Sequence, residues 1–256
     1  MNKDAASKAR KYGLIAFTHL MVIALWHFFV VAGDVRPFIM PTPLAALKTL
    51  FGPGYSWLAN TWVTAGEIFG GYFLGVTTGV FLALLFAWFR TANTVLMPLV
   101  VSLNMIPKVA LGPLFIVWFS YGIGSNILIS FSICFFPILL TTARGLREVE
   151  PELIDLVRSL RATRWQIFLK IQLPSSLPYI FSGMKVGAIL AVAGAIVGEF
   201  IASSRGLGYL LIQVQSTLDT AAMFMAVLLI TLLGVALFLM VLLLENQFVI
   251  KDSRVS

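Results

Sequence analysis

Three ionisable residues, Glu67, Lys108 and Glu199, stand inside long apolar runs, where charge is costly and a functional role is the default expectation. At 1.5 Å per helical residue, Glu67 lies about 10 Å from one end of its run, Lys108 about 21 Å along its own, and Glu199 about 30 Å beyond Pro178. The two carboxylates therefore fall at similar depth and could be neighbours. Lys108, with Asn104 and Met105 beside it, could line a path and attract an anionic solute. With equal weight, its ammonium could instead pair with a carboxylate or with carbonyls freed by Pro107. His19 and His27 share a helical face, yet neither a carboxylate nor a cysteine accompanies them, so hydrogen bonding to a neighbouring helix outweighs metal binding. Cys134 is alone and reads as packing. No region gathers a nucleophile, a base and a ligand set, and no G-x-x-x-x-G-K-[ST] occurs to cradle ATP. The chain is expected to be no enzyme, with no metal and no cofactor of its own.

The elements that would position these groups follow from composition. In 256 residues, 59% are hydrophobic and 11% charged, against about 25% charged in soluble domains. Six segments have the length of about 20 apolar residues that a bilayer requires: Leu14 to Gly33, Trp62 to Phe89, Thr94 to Phe119, Asn126 to Ala143, Leu177 to Ala202, and Ala222 to Leu244. The expected fold is thus all-α integral membrane, with six transmembrane helices. The third segment carries Pro98, Pro107 and Pro113 and cannot be straight; broken helices at membrane depth line protein or wet cavities. Gly71, Gly75 and Gly79 in the second segment, and Gly183, Gly187, Ala191 and Ala195 in the fifth, recur every four residues and predict close helix packing.

Charge placement sets topology. Most of the eighteen lysines and arginines fall near the amino terminus, at Arg90, between Arg144 and Lys185, or at Lys251 and Arg254. With six spans and both termini inside, these are cytoplasmic, as the positive-inside rule asks. The net charge of +7 then reports topology and attraction to the lipid bilayer, not nucleic acid. The first apolar run is too long for a cleaved signal and should remain as an anchor. Residues 1–13 and 248–256 read as cytoplasmic tails around one transmembrane domain, 14–247. Between them, Asp34 to Leu58 is an external loop with a short helix near Leu44 to Leu50, a candidate rim for an external partner. Gly206 and Gly208 form a bend that could gate the outer end.

The one long amphipathic interruption is residues 148–174, between spans four and five. Within it, Pro151 suits a first helical position and Pro174 should end the helix. Leu153, Leu156, Leu160, Ile167 and Ile171 form an apolar stripe expected to pack inward, leaving Arg158, Arg161, Arg164 and Lys170 for water or a partner. Thr163 and Gln166 have capping-box spacing, predicting a hinge near Ala162 between two short helices.

This stretch resembles the EAA loop of binding-protein-dependent ABC importer permeases, EAAxxxGAxxxxxFxxIxLP. Asp155 stands at the acidic position, Ala162 follows the glycine position, and Phe168, Ile171, Leu173 and Pro174 close the motif; Leu156, Val157 and Arg161 depart from it. IPKVALGPLFIVWFSYG and IVGEFIASSRGLGYLL are similar to the nitrate, sulfonate and taurine branch, except that Ser120 replaces a glycine of WFGxG. The resemblance implies a type I fold whose loop between spans four and five is a coupling helix seated on an ATP-binding cassette ATPase, engaging Asp155, Arg158, Arg161, Ala162, Thr163 and Phe168. It further implies a homodimer in the bacterial inner membrane, an external substrate-binding protein, and ATP and Mg bound only by the partner ATPases. Alternating access would carry a small solute past Glu67, Asn104, Met105, Lys108 and Glu199. The rival is a secondary transporter coupled to ions through Glu67, Lys108 and Glu199.

Overall fold

A computed structural model describes residues 3–249, which are helical throughout apart from turns and linkers, with no strand among them. Lys251 and Arg254, invoked above for topology, lie outside the described residues, as do the side chains of Lys3, Lys8, Lys11 and Arg90. Five helices are long and apolar enough to cross a membrane, and a bent pair makes a sixth candidate span. They are α1 (Lys3–Ala32), α3 (Trp57–Trp88), α6 (Ile123–Gly145), α9 (Leu173–Ala202) and α11 (Thr220–Phe248), with α4 (Arg90–Asn104) and α5 (Gly112–Phe119) forming the pair. Helix α1 runs through most of the expected polar tail, because residues 3–12 offer alanine, lysine and arginine and no glycine or proline.

The described residues fall into two compact units. One holds those up to 57 together with 210–228; the other holds 58–209 and those from 229 onward. In the first, the predicted short helix is α2 (Pro43–Lys48), capped by Thr42 and continued by a 3-10 turn, Thr49–Phe51. The Trp26 indole donates to the Pro41 carbonyl at 3.1 Å and that of Trp57 to Thr49 at 2.8 Å, so both bulky side chains tie the loop down. The Tyr55 hydroxyl donates to Asp219 at 2.5 Å; this bond, with burial, pushes its pKa above the usual tyrosine value.

The second unit is built on α6. Helix α3 approaches it along the predicted glycine stripe. A Cβ on Gly71 would lie 2.5 Å from that of Ser130, one on Gly75 2.5 Å from the Cys134 sulfur, and one on Gly79 3.2 Å from Ile138. Helix α9 approaches from another side: a Cβ on Gly187 would lie 2.6 Å from Ile138, and one on Gly194 2.6 Å from the Ser130 Cα. The Ser130 hydroxyl donates to the Ala191 carbonyl at 2.9 Å, binding the two backbones. Ile68, Tyr72, Ile138, Phe181, Ala195 and Leu237 fill the buried core around this junction.

Of the three prolines in the third span, only Pro107 sits at a break. Pro98 lies within α4 and Pro113 opens α5, whereas residues 105–107 turn the axis by 85°. Substituting Gly71 by Ala should overpack the α3–α6 contact and destabilise the protein by about 1–3 kcal/mol. Gly66, with nothing within 4 Å of its Cβ position, should tolerate Ala and gain helix propensity of up to about 1 kcal/mol. Thermal unfolding of the two variants in detergent checks the contrast.

Candidate functional site

The loop after α6 is shaped by backbone chemistry at each turn. Helix α7 (Pro151–Ser159) starts with Pro151 in its first turn. It ends in a reciprocal pair of bonds: Arg161 N–H donates to the Arg158 carbonyl at 2.8 Å, and Ala162 N–H to the Val157 carbonyl at 3.0 Å. This Schellman geometry needs a left-handed residue at the turn, usually glycine. Arg161 supplies it, with φ 62°. Thr163 then caps α8 (Arg164–Ile167) with the full capping box, its hydroxyl accepting from Gln166 N–H while the Gln166 side chain accepts from Thr163 N–H at 2.8 Å. The hinge predicted near Ala162 is there.

The expected stop at Pro174 is not. A π turn, Phe168–Gln172, joins α8 to α9, and Leu173 N–H reaches five residues back to the Phe168 carbonyl. The hydrogen-bond register changes just before Pro174, so the missing proline N–H falls in the first turn of α9, where no donor is required. Helical structure thus runs from Arg164 to Ala202.

The inward apolar stripe is also corrected. Ile167 is buried and Ile171 half-buried, but Leu153, Leu156 and Leu160 are 39%, 58% and 74% exposed. The half-buried face of α7 carries Ile154 and Val157 instead. Three leucines on one face of an exposed helix form an apolar ridge of the kind that marks a partner surface. The Asp155–Arg158 pair beside them, at 3.1 Å and largely exposed, contributes little stability. Phe168 points the other way. It is buried among Ala83, Phe86, Leu139, Ala143 and Leu146, and its ring meets Trp88 edge-on at 5.5 Å. Trp88 also meets Trp165 at 5.4 Å, and the Arg164 guanidinium lies 4.6 Å above the Trp88 ring and donates to its carbonyl. Helix α8 is thereby clamped to the end of α3. A cavity of about 390 Å3 opens between them, lined by Ala87, Ile154, Arg158, Ala162, Arg164 and Gln172.

At the break in the third span, the Lys108 ammonium donates to the carbonyl and side chain of Asn104, the latter at 2.8 Å, and sits 5.0 Å over the Phe136 ring. The broken ladder leaves the Asn104 carbonyl to the lysine, which is the pairing role weighed above. Met105 is 78% exposed at the same break.

At the far end of α3 and α9, Glu67 and Glu199 are both fully buried. The Asn126 amide donates to Glu67 at 2.8 Å, and Thr64 to Glu199 at 2.5 Å. Gly206, Leu207 and Gly208 N–H groups donate to Asn60, Thr64 and Glu199 in turn. Of the glycines singled out as a gate, Gly206 immediately precedes α10 (Leu207–Ser216) and Gly208 lies in its first turn, both hung on a buried network. Asn60, Thr64 and Asn126 were not singled out from sequence; helical spacing places Asn60 and Thr64 on the face of Glu67, which is the signal they carried. Lys185 and Glu245, 2.9 Å apart, were also missed as a pair.

Residues 75–249 match the model of the binding-protein-dependent transport system inner membrane component. The chain belongs to that family. It is 32% identical over 90% of its length to an ABC transporter permease protein of Haemophilus influenzae, covering 94% of that protein. It is 30% identical over 89% to the formylaminopyrimidine transport permease ThiX of Halalkalibacterium halodurans, covering 91%. With the riboflavin transport system permease RibX of Chloroflexus aurantiacus, identity is 32% over 91%, covering 87%. The MetNI methionine ABC transporter shares the fold at a TM-score of 0.57 and 22% identity, over 72% of this chain and 94% of that one. The permease is thus the membrane-spanning transport component of an ABC importer for a small solute. The ion-coupled alternative loses its support, since the relatives are permeases of binding-protein-dependent ABC systems and Lys108 is engaged within its own span.

Both departures from the family's glycines keep the glycine conformation, with φ 66° at Ser120 and 62° at Arg161. Restoring glycine at either should relieve about 1–2 kcal/mol of left-handed cost and slow local amide exchange, whereas Thr163→Ala should weaken the α8 start by about 1 kcal/mol and speed exchange at Gln166 and Ile167. Hydrogen exchange followed by mass spectrometry distinguishes the two directions.

Proposed function

We propose that ATP-binding cassette ATPase subunits seat on the α7–α8 loop and drive this permease, with ATP and Mg held by those subunits. The exposed Leu153, Leu156 and Leu160 ridge beside a rigidly capped hinge carries this proposal. Leucines give the apolar core of the seat; Asp155, Arg158 and Arg161 supply its polar rim; Ala162 and Thr163 hold its angle; Phe168 anchors it to the membrane helices. In this scheme the loop and both termini are cytoplasmic and the protein lies in the bacterial inner membrane. Two copies form the pathway, and an external binding protein delivers the solute to the opposite end. Glu67, Asn104, Met105, Lys108 and Glu199 border the route, and the Gly206 to Gly208 turn closes it.

Relatives that transport formylaminopyrimidine and riboflavin favour a small nitrogen heterocycle as the solute.

Leu156→Asp with Leu160→Asp, or Ala162→Asp alone, should abolish ATPase copurification and solute-stimulated hydrolysis while leaving membrane insertion intact. Uptake into proteoliposomes by the assembled wild-type complex should be blocked by vanadate and indifferent to a protonophore. Uptake that collapses with the proton gradient and ignores vanadate would sink the proposal.

A further inference from the structure

The buried carboxyl pair at the far end of α3 and α9 has more negative charge than its surroundings can balance. Glu67 is 0% and Glu199 1% exposed. Among the described residues, no salt bridge reaches either of them. The groups facing them are Asn126 from α6, Thr64 from α3, and the Gly208 and Tyr209 N–H groups of α10, all neutral. Arg205 in the connecting turn is exposed; Lys108 is engaged with Asn104 and Lys185 with Glu245. Two facing carboxylates in a dry interior cannot both stay ionised without a compensating cation or proton.

The oxygens decide which. Glu199 Oε1 accepts from Thr64 and Oε2 from Gly208, while Glu67 Oε1 accepts from Asn126. Glu67 Oε2 has no partner, and Thr64, on the same face of α3 as Glu67, holds the Glu199 carboxyl beside it. A hard cation asks for about six or more oxygens. The other orphaned oxygen, Asn126 Oδ1, is turned toward Gly198, where a Cβ would lie 2.8 Å away. One orphaned oxygen beside a carboxylate is a place for a proton.

We infer that Glu67 is a neutral acid whose Oε2 proton bonds to the Glu199 carboxylate, so that one resident proton completes the clasp on the first turn of α10. The donors then suit the acceptors at both carboxyls. Glu199 needs its charge, because Thr64, Gly208 and Glu67 all donate to it; Glu67 needs only a donor on one side and an acceptor on the other. The space is already full: a Cβ on Gly208 would lie 2.7 Å from Glu199 Oε2, and Gly206, with φ 110°, sits against the same carboxyl. Glutamine is thus an isostere of the proposed Glu67 state and a mismatch for Glu199, whose amide would face the Gly208 donor.

Infrared spectra of the purified permease in nanodiscs, wild type minus Glu67→Gln, test the proton without any ATPase. The wild type should show the carbonyl stretch of a protonated, buried carboxyl that the variant lacks. In the assembled complex, Glu67→Gln should lose less uptake than Glu199→Gln and should flatten the decline at alkaline pH that the wild type shows. Glu199→Gln should lose about tenfold or more, the scale of an unsatisfied buried donor. No protonated-carboxyl band in the wild type, the reverse order of the two variants, or a sodium requirement abolished equally by both would overturn the inference.

Discussion

Backbone approach at α6 is the constraint on which the second unit depends. In lipid no hydrophobic force draws helices together, so van der Waals contact and interhelical hydrogen bonds must do so. The missing side chains at Gly71, Gly75, Gly187 and Gly194 let α3 and α9 reach α6 at distances no Cβ would permit. Cys134 and Ser130 occupy the resulting seams, and the Ser130 hydroxyl bonds the Ala191 carbonyl. Such packing leaves little room for α3, α6 and α9 to slide independently. Helix α8 joins this body twice, by continuity through the π turn and by the Trp88, Trp165 and Phe168 rings. A force on the loop is therefore delivered to the membrane helices as a whole.

Polar groups inside this body are settled locally. Lys108 takes the carbonyl that the break at Pro107 leaves unpaired, Lys185 takes Glu245, and Glu199 takes the N–H groups at the start of α10. Each arrangement avoids leaving a buried charge alone, which costs more in an apolar interior than the pairing returns in water. The consequence for transport is that the α9 end and the α10 start share one carboxylate and cannot separate without exposing it.

Much of this was legible in the sequence where one local rule sufficed. Glycines four apart announced the α3 contact, Thr163 with Gln166 announced the cap, and Pro107 announced a broken span. What was not legible depended on partners distant in sequence. Leu153, Leu156 and Leu160 read as an inward stripe because periodicity gives a face but not its direction, and Phe168 turned out to anchor rather than to dock. Pro174 read as a stop because the register change at Leu173 has no sequence signature. Ser120 and Arg161 looked like losses of glycine, yet both hold left-handed backbone, since the surrounding turn bonds outweigh the cost at one residue. Asn126 was silent until the spans were placed side by side.

Continuity through the π turn makes the loop helix and span five one body. Spin labels at Gln166 and Ile189, both exposed, allow their separation to be measured by double electron–electron resonance in the assembled complex, with and without trapped nucleotide. Rigid continuity through the π turn predicts the same distance distribution in both states. A shift of the distribution on nucleotide trapping would show that residues 168–172 act as a hinge and would contradict the account.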